Sequence, residues 1–190
     1  MHTPCNTMSQ WTYHDHLSRL AGPDSISLMT TNLTFLMAAH PQVLKRAQTE
    51  IDEAFSGQLF TASSPTYDEC RRLPFVDACV REGLRIVAST FPRRRCSPQD
   101  VPFYLAGRFV PPGTSVSASA CEIGRHKSLY GDDADDFVPD RWLQASEEQL
   151  HLWETFDVHW GFGVRKCLGK HIGLMVLYKS LVLVCSPIPF

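Results

Sequence analysis

Trp160-Gly161-Phe162-Gly163-Val164-Arg165-Lys166-Cys167-Leu168-Gly169 sets one cysteine among glycines and an arginine, and the remaining segments take their meaning from it. Gly161, Gly163 and Gly169 carry no Cβ, so the backbone can turn sharply and lie flat against a large planar ligand. After Cys167, the apolar residues Leu168, Ile172, Met175 and Leu183 recur at helical spacing, which places the sulfur at a helix N-terminus. The macrodipole and free N–H groups there favour thiolate over thiol. Read as an isolated cysteine, Cys167 would also fit a buried core position.

Arg165, two residues earlier, presents a fork suited to a carboxylate such as a haem propionate. An anionic sulfur beside such a clamp suits haem iron with an axial thiolate. The pattern aromatic-Gly-x-Gly-x-Arg-x-Cys-x-Gly resembles the haem-binding loop of the cytochrome P450 superfamily, with Trp160 where that family usually has Phe. The resemblance implies haem b as cofactor, Cys167 as axial ligand of its iron, and Trp160, Arg165, Gly163 and Gly169 as residues around it.

Three further segments carry the same resemblance, in the family's order. Ile26, Met29, Leu33 and Leu36 predict a long helix from Asp15 to Ala39, ended by His40-Pro41. Ala21-Gly22-Pro23-Asp24-Ser25 lies inside it, and both Gly and Pro disfavour a helix interior, so a local kink is expected. In the resembled family this segment crosses the haem's distal face, which implies proton delivery by Asp24 and Ser25. Read alone, the same residues after Pro23 fit the first turn of a helix. Glu82 and Arg85 are three apart on one predicted helical face, with apolar Val80, Leu84, Ile86 and Val87 around them, and Arg141 follows in Phe137-Val-Pro-Asp-Arg-Trp142. The resemblance implies that Glu82, Arg85 and Arg141 form a structural triad. Within Phe91-Pro-Arg-Arg-Arg-Cys-Ser-Pro98 it implies that Arg95 holds a second propionate.

Elsewhere the patterns are local. Pro41 opens an amphipathic helix through Phe55 with Gly57 beyond it, and Pro74 sits at the first position of a helix from Phe75 to about Val87. Phe103 to Ala120 reads as a hairpin turning at Gly107 and again at Pro111-Pro112-Gly113-Thr114. Cys121 to Tyr130 reads as one short helix and Gly131 to Asp136 as a solvated acidic loop, whose spacing is wrong for a calcium-binding EF-hand. The fold expected is mainly α with a small β-sheet: a partial cytochrome P450 domain over 1–190, with a polar lead-in at 1–20, the resemblance at 21–183 and a short tail at 184–190. On this reading the chain runs from the central distal helix to the helix after the haem loop, and the family's preceding helices and anchor are absent.

Composition narrows the alternatives. A formal net charge of −2 with 20% charged residues gives no basic excess for nucleic acid or an anionic membrane. Seven cysteines without a C-x-x-C pair argue against a disulfide framework and a zinc ribbon, and no His pair flanks a Glu as in zinc hydrolases. No run reaches the roughly 18–20 apolar residues of a membrane span. Localisation stays open: the resembled family usually sits at the endoplasmic reticulum membrane, whereas this chain expressed as it stands, without anchor or signal, is expected in the cytoplasm. The run Gly124 to Asp133, Ser146-Glu-Glu-Gln149 and Cys167-Leu-Gly-Lys170 look most like fungal microsomal members of the pisatin demethylase type. The resemblance implies a monooxygenase that inserts one oxygen atom of O₂ into a small organic substrate, with NADPH acting through a flavoprotein reductase. Two other readings stay open: a haem binder without turnover, and a fragment acting through protein interaction.

Overall fold

The computed structural model describes residues 7–62, 64–87, 95–96 and 103–186, with the side chains of 7–21, 95, 96 and 165 outside the description. Nine α-helices and four short strands occur among these residues: α1 (Thr7–Ala39), α2 (Pro41–Ser56), α3 (Tyr67–Cys70), α4 (Pro74–Ile86), β1 (Arg95–Cys96), β2 (Phe103–Leu105), β3 (Arg108–Val110), β4 (Ser115–Val116), α5 (Ala120–Gly124), α6 (Lys127–Tyr130), α7 (Asp140–Gln144), α8 (Glu147–Thr155) and α9 (Lys170–Cys185). None of the described helices is long and apolar enough to cross a membrane.

The core forms where α1, α2, α4 and α9 meet. α1 contributes Met29, Leu33 and Met37, one per turn on one face, and α2 contributes Ala47, Ile51 and Ala54. α1 starts at Thr7, earlier than Asp15, and its helix runs unbroken through Gly22-Pro23. α4 approaches α1 closely because Gly83 has no side chain: a Cβ there would stand 2.5 Å from Leu33 Cδ1.

α4 starts at Pro74, whose missing N–H costs nothing at that position. Its next two N–H groups, of Phe75 and Val76, each donate to a carboxylate oxygen of Glu50 on α2 at 2.9 Å. An acid at a helix N-terminus is favourable through both the hydrogen bonds and the dipole, so Glu50 fixes α2 against α4.

α3 is a single turn closed by a capping box. The Glu69 N–H donates to Thr66 Oγ1, and Glu69 Oε2 accepts from the Thr66 N–H at 2.7 Å. Glu69 also accepts from Thr66 Oγ1 and, through Oε1, from the N–H and hydroxyl of Thr61. These donors, the Thr66 N–H foremost, hold its carboxyl down at about 2. Because the folded value lies below the unfolded one, Glu69 contributes stability above about pH 4.5, and that contribution fades as pH falls toward 2. Thermal melts of the protein and of Glu69→Gln should therefore differ most near neutral pH and converge between pH 4.5 and 2. A difference that stays constant across that window would contradict this assignment.

The extended segment differs from the single meander expected. β2 and β3 form the predicted hairpin, Phe103 opposite Val110, around Ala106 (φ +49°) and Gly107 (φ +76°). Two successive positive φ values match the right-handed twist of the strands. After the turn at Pro111, however, β4 leaves this hairpin and pairs antiparallel with β1, Arg95 opposite Val116 and Cys96 opposite Ser115. The helix expected from Cys121 to Tyr130 is two, α5 and α6, separated at Arg125-His126. The separation lets the Gly124 carbonyl turn toward Arg85 instead of continuing a helical ladder.

α9 is the helix expected after Cys167, but it buries another face. Leu177, Tyr178, Leu181, Val182 and Cys185 are in the core, whereas Leu168 is 100% exposed, Ile172 61% and Met175 41%. From Leu174 to Cys185 apolar residues occur all round the helix, so spacing alone does not choose which side turns inward.

Candidate haem-thiolate site and its charged support

Glu82 lies on the inward face of α4 with no exposed surface. Its two oxygens receive five hydrogen bonds. Arg85 Nε donates to Oε2 at 2.9 Å and Nη2 to Oε1 at 2.8 Å; Arg141 Nε donates to Oε1 at 3.0 Å; the Val138 N–H donates to Oε1 and Trp142 Nε1 to Oε2, both at 2.9 Å. A buried carboxylate is tolerable only with partners of this number and geometry.

The arginines are satisfied in turn. Arg85 donates to the carbonyls of Gly124 and Ala134 at 2.5 Å and of Asp136 at 2.9 Å. Arg141 donates to the carbonyls of Tyr130 and Asp133 and to the Asp133 carboxylate. The segment 131–136, expected as a solvated acidic loop, thus serves as a cradle: its carbonyls face the guanidinium groups, Asp133 pairs with Arg141 and Asp135 with Arg125. Glu82, Arg85 and Arg141 are brought together. Trp142, Val138 and Gly124 join them unforeseen, because their places depend on how the segment before the loop folds back onto α4.

That segment leads through α8 to the cysteine loop. Trp153 on α8 stacks on Tyr130 at 5.3 Å between centroids and meets Trp142 edge-on at 4.9 Å, and its indole N–H donates to the Leu129 carbonyl. The chain then turns at Gly161 (φ +74°) and Gly163 (φ +57°), conformations that a side chain would strain. A short 3₁₀ turn, Gly163–Arg165, follows. The loop closes on itself where the Cys167 N–H donates to the Trp160 carbonyl at 2.7 Å.

Cys167 is half-buried and sits just ahead of α9, whose N-cap is Gly169; a Cβ on Gly169 would lie 3.9 Å from the sulfur. Its neighbours Val164 and Leu168 are fully exposed, with Phe162 and Ile172 more than half exposed. Apolar side chains presented beside a thiol suit an apolar, planar macrocycle. Among the described residues no group of His, Cys, Asp and Glu is arranged to hold a bare metal ion. The thiol and the exposed apolar side chains beside it in the sequence fit haem.

The other expected site residues lie on separate elements. Asp24 on α1 is exposed, and the half-buried Ser25 donates its hydroxyl hydrogen to the Gly22 carbonyl at 3.1 Å. Arg95 lies in β1 and Arg165 in the 3₁₀ turn, with their side chains outside the described residues. A cleft of about 540 Å³ opens between α4, α8 and the start of α9, but Cys167 does not line it. Its lining mixes Arg81, Lys166 and Lys170 with Leu84, Trp153, Trp160 and Tyr178. His159 borders this cleft, and burial pulls its imidazole below the usual histidine value.

Residues 18–185 match the sequence profile of the family described as Cytochrome P450. The chain belongs to the cytochrome P450 family. It is 46% identical over 106 residues to cytochrome P450 monooxygenase ustC of Aspergillus flavus, a match covering 56% of this chain and 26% of that one. A cytochrome P450 monooxygenase of Aspergillus terreus is 35% identical over 161 residues, covering 84% of this chain and 32% of the relative. Among solved structures, the heme domain of a cytochrome P450DA mutant superposes with a TM-score of 0.72 at 25% identity, over 87% of this chain and 36% of that domain. The cytochrome P450 chain described here thus spans about a quarter to a third of the length of these relatives.

Proposed function

We propose that this chain carries the haem-thiolate site of a monooxygenase that inserts one oxygen atom of O₂ into a small organic substrate. The observation behind this reading is the closed loop from Trp160 to Cys167, which offers a half-buried thiol amid exposed apolar side chains in a chain of the cytochrome P450 family. When bound, haem b supplies the O₂ chemistry, and a thiolate ligand favours O–O cleavage. The chain's own contributions are distinct. Cys167 would hold the iron, with the loop hydrogen bond from its N–H to the Trp160 carbonyl fixing its backbone. Arg165 and Arg95 would pair with the propionates. Asp24 and Ser25 on α1 hold and pass the protons the reaction consumes. Glu82, Arg85 and Arg141 have no part in the chemistry and anchor the segment that leads to the loop. Electrons come from NADPH through a flavoprotein reductase.

The test is the absorption spectrum of the purified chain supplied with haem, reduced and exposed to carbon monoxide, beside Cys167→Ala. The expected result is a red-shifted Soret band characteristic of thiolate ligation in the unsubstituted chain and its complete loss in the variant. No such band in the unsubstituted chain would reject the reading. A second reading, haem binding without turnover, is separated from the first by whether reductase and NADPH drive product formation.

A further inference from the structure

Gly173 stands inside α9, where glycine weakens a helix relative to alanine, so its presence calls for a reason. The reason is the indole of Trp160. A Cβ on Gly173 would lie 3.3 Å from Trp160 Cη2, closer than ordinary packing, and in van der Waals contact with Cζ3 at 3.5 Å, so the indole would have to give by a few tenths of an ångström. The ring is also bounded elsewhere. The His159 imidazole meets it edge-on at 5.5 Å between centroids, and the Lys170 ammonium lies 5.8 Å from its centroid. Its main chain is tied to the ligand loop, because the Trp160 carbonyl accepts the Cys167 N–H at 2.7 Å. A push on the ring from α9 therefore reaches the backbone of Cys167 through one residue.

We infer that Gly173 is a positioning residue for Cys167: its bare backbone makes room for the indole of Trp160, and the two form a size-matched pair that sets the cysteine loop against α9. The part of this inference that concerns metal ligation rests on the proposed role of Cys167. The part that concerns packing does not.

A double-mutant cycle of Gly173→Ala, Trp160→Phe and the double variant tests the pair on the full chain. Without haem, Gly173→Ala should lower the melting temperature by roughly 2–4 °C and change the alkylation rate of Cys167, followed by mass spectrometry of its peptide. Added to Trp160→Phe, the same alanine should leave the melting temperature unchanged or raise it, and return the alkylation rate toward that of the unsubstituted chain. With haem and carbon monoxide, Gly173→Ala should lose part of the thiolate-type band and the double variant should recover it. Equal effects of the alanine in both backgrounds would overturn the inference. Should Gly173→Ala not fold, a folded double variant supports the pairing and an unfolded one overturns it. If the unsubstituted chain gives no thiolate band, the proposed function fails, while the melting and alkylation cycle still decides the pair.

Discussion

Glu82→Ala should destabilise the protein by about 3–5 kcal/mol, the cost of stripping a buried ion pair of one partner. The carboxylate is fully enclosed and receives five donors, so its removal leaves the Arg85 guanidinium buried without a counter-charge and strands the Trp142 indole N–H and the Val138 N–H. Arg141, also nearly enclosed, keeps Asp133 as its charged partner among the described residues. Water cannot repair this without opening the segment 124–142, so the loss appears as unfolding. Denaturant titration measures it directly. Glu82→Gln should fall between the two, since it keeps acceptor capacity but removes the charge. A loss under about 1 kcal/mol for the alanine variant would mean that the network is solvated, as for an exposed pair.

Gly124→Ala should cost about 3 kcal/mol, an unusual penalty for adding one methyl group. The new Cβ would lie 2.4 Å from the backbone oxygen of Arg85, where no side-chain rotation gives relief. α5 has to retreat from the end of α4, and the Gly124 carbonyl, which accepts from Arg85 Nη1, retreats with it. The variant therefore combines overpacking with loss of a charge-assisted hydrogen bond. Gly22→Ala is the control, because among the described residues a Cβ there meets nothing within 4 Å and alanine suits a helix interior. Equal melting temperatures for the two variants would sink this account.

The helices were legible where sequence carried its own punctuation. Pro41 and Gly57 bracket α2, and Pro74 starts α4, because proline and glycine act through local backbone geometry. The capping box of Thr66 and Glu69 has a spacing of its own, Thr-x-x-Glu, but opens only a single turn with no apolar periodicity to mark a helix. Glu50 was not readable: its partners are the N–H groups of a helix 25 and 26 residues away. The inward face of α9 was hidden by an apolar surface all round, and the change of partner by β4 by the ambiguity of two-residue strands. In the site, the spacing around Cys167 and the residues Glu82, Arg85 and Arg141 stood out, since side chains of fixed chemistry recur at fixed offsets. The carbonyls of Gly124, Ala134 and Asp136 carry no side-chain signature, so their convergence on Arg85 emerges only from the folded backbone.

The reach of the Glu82 and Arg85 hub has a consequence for how the chain folds. Its bonds outside α4 join residues from 39 to 60 positions apart, so each closes a long loop before it yields any gain. α2 and α4 can form early from local signals, whereas the hub must wait until the segment from Gly124 to Trp142 arrives. Until then both charges stay hydrated, and their dehydration comes with the arrival of that segment. Substitutions that weaken only this late closure should speed unfolding more than they slow folding, which makes the hub a determinant of the protein's lifetime.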